Sequence, residues 1–117
     1  MKAWLGSTWT ITPASTSNKV IVCVSQAGVL AIGTNGNGVA IRLVRDGSTI
    51  ALMASRLAYN QGSVSNSGHF AVTYLDSPAS VGALVYKTTF ADAVNGDTAR
   101  VQDSSNVSTM LLLEVSQ

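Results

Sequence analysis

Apolar residues recur at every second position along most of the chain, and no window repeats at 3.6 residues, so strands are expected and helices are not. From Thr8 the run TWTIT alternates, and Pro13 with the polar ASTSN stops it. KVIVCVSQA, residues 19–27, is apolar on both parities, the mark of a central strand. A short strand at 28–32 and a loop, GTNGNG at 33–38, follow it. VAIRLVR and STIALMA flank Asp46-Gly47, a pair that tolerates positive φ and predicts a hairpin. Residues 55–68, SRLAYNQGSVSNSG, read as the longest irregular stretch, and such loops on rigid β scaffolds tend to carry recognition. HFAVTYL is a strand ending at Asp76-Ser77-Pro78, and GALVYKTTFAD is another. VNGD around Asn95-Gly96 predicts a second hairpin, leading to the short strand TARVQ and the loop DSSNVS.

The terminal run TMLLLEV, residues 109–115, does not alternate. Leu111, Leu113 and Val115 point one way, while Met110, Leu112 and Glu114 point the other, so cover is expected on both faces. Leu111 and Leu112 are accordingly expected in an interface between copies of the chain. Arg42 lies mid-strand among apolar neighbours, and Glu114 is similarly placed. Each is costly to bury alone, so the two are expected to approach each other within the chain or across a subunit boundary.

Eight to nine closely spaced strands make an all-β fold, a jelly-roll-like sandwich of about eight antiparallel strands. At 117 residues there is room for one core. Residues 1–7 are expected to be a lead-in from something upstream and 8–117 the sandwich domain; MKAWLGSTW lacks the apolar segment of a signal peptide. Charged residues make up 11%, against roughly 25% in ordinary soluble domains. So light a charge suits a chain that hides part of its surface against copies of itself, although many small secreted β-domains share it. A net charge of +1 without a basic run gives no nucleic-acid footprint, and no apolar run approaches the ~18 residues of a membrane helix.

Chemistry is sparse. Three glycines in GTNGNG fit neither phosphate-loop spacing. Cys23, the one cysteine, is read as a buried small hydrophobe, and His69, the one histidine, as a surface or capping residue. Asp76, Ser77 and Cys23 are available by type for a nucleophilic device with His69, but no nucleophile elbow surrounds a serine. Asp92 and Asp97 are the best placed pair for glycoside hydrolysis, and with Asn95 the best placed metal set, yet they lack the ligand density of a calcium loop. Asn106-Val107-Ser108 fits the glycosylation pattern, which matters only in a secreted eukaryotic setting. Among aromatics that can stack on sugars, Tyr74 and Tyr86 are read as core and Tyr59 as either. No catalytic residue, metal or cofactor is assigned, and the chain is not expected to be an enzyme.

Four phrases stand in order: TWTITPASTSNKVIV, AIRLVRDGSTI, AVTYLDSPAS with ALVYKTTFAD, and STMLLLEV. Over roughly residues 8–116 this order resembles the C-terminal β-domain of bacteriophage tail fibres and related virion spike proteins, notably from phages of aquatic bacteria. GTNGNG and residues 55–68 depart from it. The resemblance implies a jelly-roll-like homotrimer of tumour-necrosis-factor-like arrangement, carried on the virion beside other tail proteins and binding a host-surface glycan or protein through its loops. Arg56, Tyr59, Asn60 and Asn95 are the expected receptor contacts. A trimeric tumour-necrosis-factor-like ligand or other trimerisation domain is the alternative, and a small polysaccharide-degrading enzyme stands behind both.

Overall fold

The computed structural model describes residues 8–94 and 96–117, and the backbone of residues 2 and 3. The strands are β1 (Lys2–Ala3), β2 (Trp9–Ile11), β3 (Lys19–Gly33), β4 (Val39–Arg45), β5 (Ser48–Leu57), β6 (Val64–Asp76), β7 (Leu84–Asp92), β8 (Thr98–Arg100) and β9 (Thr109–Val115), with one 3-10 turn at Asp103–Ser105. Two antiparallel sheets face each other. In sheet A, β7 lies between β4 and the β1 and β2 segments, and β5 forms the far edge. In sheet B, β3 is central, with β6 on one side and β8 and β9 end to end on the other. The β3–β4 and β6–β7 arches run side by side, β3 against β6 and β4 against β7, a ribbon folded over both layers. The fold is thus an all-β sandwich wound like a jelly roll.

Alternation decides which side chains fill it. Val20, Val22 and Val24 of β3 meet Val39, Ile41 and Leu43 of β4, Leu84 and Tyr86 of β7, Phe70 of β6 and Met110 of β9 in one core. β3 runs 15 residues with a bulge between Gln26 and Val29. One extra residue there moves the inward set from even to odd numbers, so Val29 and Ala31 face the same core. Gly28 makes the bulge at φ +61°, and a Cβ on it would stand 2.5 Å from the Asp103 backbone nitrogen. The bulge is capped by Gln102 N donating to Ala27 O (3.0 Å) and Ala27 N donating to Ser108 Oγ (3.2 Å). What reads as two strands, 19–27 and 28–32, is therefore one.

The Asp46-Gly47 hairpin forms with both residues at positive φ, 49° and 84°, and Arg45 paired with Ser48. Its tip is tied to β7 by Asp46 N to Val85 O and Val85 N to Asp46 Oδ1, each 2.9 Å. Of the second expected turn, Asn95 lies outside the described residues, but β7 and β8 belong to different sheets and so are not paired as a hairpin. The stretch 55–68 is mostly strand as well: β5 runs to Leu57 and β6 begins at Val64, leaving only 58–63 irregular. Lys2 and Ala3 pair with Phe90 and Thr89, so part of the expected lead-in joins sheet A.

Candidate functional site

Three connections, 34–38, 58–63 and 93–97, meet at one end of the sandwich, and buried Asn37 joins them. Its Nδ2 donates to Ile32 O (3.1 Å) and Thr98 O (3.2 Å), and its Oδ1 accepts from Ala93 N and Val94 N (3.2 Å each). Asn60 N donates to Asn37 O (2.8 Å), and Gly36 N donates to Asn60 O (2.9 Å). The Asp97 carboxylate closes the set, Oδ2 accepting from Thr34 N (2.9 Å) and Oγ1 (2.7 Å). Asparagine suits such a hub because one planar group donates twice and accepts twice, matching backbone from several segments. The result is a stitched platform whose outer side chains, Asn35, Tyr59 and Gln61, reach solvent.

The residues expected as receptor contacts divide on this platform. Tyr59 is 47% exposed, its carbonyl held by Asn66 Nδ2 at 2.5 Å. Arg56 is exposed but stands on β5 rather than in a loop. Asn60 is a correction: it is fully buried, and its Nδ2 donates to Ala31 O (3.2 Å), because the crossing between sheets leaves backbone groups that a short amide satisfies. Asn95 lies outside the described residues. Asn37 escaped sequence reasoning, since nothing in GTNGNG separates the hub asparagine from exposed Asn35.

Among the described residues no catalytic constellation gathers. His69 Nε2 lies 3.3 Å from Ser25 Oγ on the exposed face of sheet B. Asp76 is seven residues further along the same strand, ~23 Å at 3.3 Å per residue, and is otherwise engaged. Its carboxylate accepts from Arg45 Nη1 (2.6 and 2.5 Å) and from Tyr86 Oη (2.6 Å), bridging β4, β6 and β7. Burial, then the bond to Asp76, pushes the Tyr86 phenol far above its usual range. Tyr86 is thus a core residue, as is partly buried Tyr74. Asp97 serves the Thr34 turn, and among the described residues no three His, Cys, Asp or Glu side chains gather as metal ligands.

The expected approach of Arg42 and Glu114 does not occur within the chain. Arg42 is exposed on sheet A, whereas Glu114 Oε1 on sheet B accepts from Ala14 N (2.7 Å) and Asn18 Nδ2 (2.5 Å). Those two bonds pull the Glu114 carboxyl below its usual range, Asn18 contributing most. Leu112 packs on the domain's own core, so its apolar face needs no second copy. Leu111 and Leu113 point outward, 54% and 46% exposed. Cys23, expected in the core, also lies on that outer face, because β3 turns its even-numbered residues inward. No family model matches this chain, and no curated protein does.

Proposed function

We propose that the chain is an attachment module of a bacteriophage particle, the C-terminal domain of a tail fibre or spike that assembles as a homotrimer. It is carried on the virion beside other tail proteins and binds a glycan or protein on the host surface. The observation that supports the reading is the convergence of three loops at one end. Residues 34–38 and 58–63 lie where the sequence departs from its tail-fibre phrases, and Asn37 and Asn60 tie them to each other. A hydrogen-bonded base under exposed loops is what a recognition surface needs, since a backbone already fixed loses less entropy on binding. Tyr59 offers an exposed aromatic face for a sugar ring, with polar Asn35 and Gln61 on the same end.

The test is binding of the purified chain to an array of bacterial surface polysaccharides and to intact bacteria, beside Tyr59→Ala. Selective binding that Tyr59→Ala weakens at least about tenfold, with the melting temperature unchanged, is expected for a central aromatic contact. Absence of binding to every glycan and cell preparation overturns the proposal.

A further inference from the structure

The outer face of sheet B can be followed rung by rung. Leu75, Ile21 and Leu113 form one rung, Thr73, Cys23 and Leu111 the next, and Ala71, Ser25 and Thr109 a third. Beyond the bulge lie Ser67, Leu30 and Arg100, then Ser65, Ile32 and Thr98, and at the opposite end Lys19 and Val115 share the same outward parity. Leu75, Leu111 and Leu113 are each about half exposed, and no acidic residue lies in these five rungs. A depression of about 410 Å³, lined by Cys23, Ala71, Thr73 and Leu111 among others, opens between the strands. We propose that this face is covered by further copies of the same chain, with Cys23 near the middle of the contact. The inference rests on the trimeric reading above and adds which surface makes the assembly.

Charge and area both favour this occupant. Sheet A presents Arg42 and Lys87 on its outward parity, diagonal neighbours across β4 and β7, so two such faces would bring like charges together. On sheet B the two cations, Lys19 and Arg100, stand at opposite ends of three uncharged rungs, so two copies can meet over those rungs without that penalty. The 15 residues of β3, at ~3.3 Å each, and three strands ~4.8 Å apart give a face of about 50 by 14 Å, or about 700 Å². That approaches the ~800 Å² each partner contributes to a stable interface. The depression beside Leu111 can receive a leucine from the neighbouring copy.

The test is sedimentation velocity of the full chain from nanomolar to high micromolar concentration, with the rate of N-ethylmaleimide addition to Cys23 measured at each. Alkylation is expected to slow about tenfold when nine-tenths of the protein is assembled. Leu111→Asp, at an exposed position, is expected to return the protein to monomer and restore the fast rate. If that variant loses its fold, Thr73→Lys on the same rung serves instead, and Arg42→Asp is the control expected to leave assembly intact. An assembly in which Cys23 keeps its monomer rate, or which dissolves with Arg42→Asp alone, overturns this choice of face and leaves the attachment reading standing. A monomer at every concentration overturns the self-association, and glycan binding then decides separately whether the loops recognise a surface.

Discussion

Asn37→Ala removes four hydrogen bonds at a site with no solvent exposure. Each is worth about 1 kcal/mol net, and each orphaned backbone group costs more if water cannot reach it. The Ile32 and Thr98 carbonyls and the Ala93 and Val94 amides lie at the end of the sandwich, where an alanine-sized gap admits water. A cost of about 3 kcal/mol is therefore expected rather than the full sum. Against a total of about 6 to 18 kcal/mol for a domain of this length, the melting temperature should fall by about 10 °C. Hydrogen exchange locates the damage: the Ala93, Val94 and Asn60 amides should lose protection, while those in the centre of β3 follow only the global change. Asn37→Asp is the sharper comparison. It keeps the acceptor for the two amides but sets a carboxylate against the Ile32 and Thr98 carbonyls, so it should be worse than alanine. A melting temperature within about 1 °C of the parent for Asn37→Ala, with protection at Ala93 and Val94 intact, would refute the hub.

Asp76→Asn should cost about 2 to 3 kcal/mol, below the range for a fully buried pair because Arg45 keeps some contact with solvent, and a chemical denaturation midpoint measures it. Tyr86 is neutral and held in the fold with a raised pKa, so its contribution is complete below about pH 10 and is lost as pH rises above that. Tyr86→Phe should flatten the alkaline fall in melting temperature. Glu114 has the opposite sign: its stabilisation is present above about pH 4.5 and disappears as pH falls through its lowered value, and Glu114→Gln should remove that acid dependence in a pH series of melts. Gly28→Ala should destabilise by about 2 kcal/mol or more, since the new Cβ meets the Asp103 backbone at a left-handed position, and a parent-like melt would show that the bulge yields.

Most of the strands and the Asp46-Gly47 hairpin were legible because each depends on neighbours in sequence: recurring apolar residues mark a strand, and an Asp-Gly pair names the tight turn. The light charge and the doubly apolar β9 were equally visible, and they pointed to a face in need of cover. Which face it was could not be read. Met110 and Leu112 are as greasy as Leu111 and Leu113, and only the pairing of β9 with β3, over a core shared with β4 and β7, sends the first pair inward. The bulge at Gly28 was hidden too, since its mark is one residue of register against β6, a partner some forty residues away. Asn60 and Asn37 looked like any loop asparagines. Burial of their amides follows from where the loops cross between layers, a property of the assembled sandwich that local sequence does not encode.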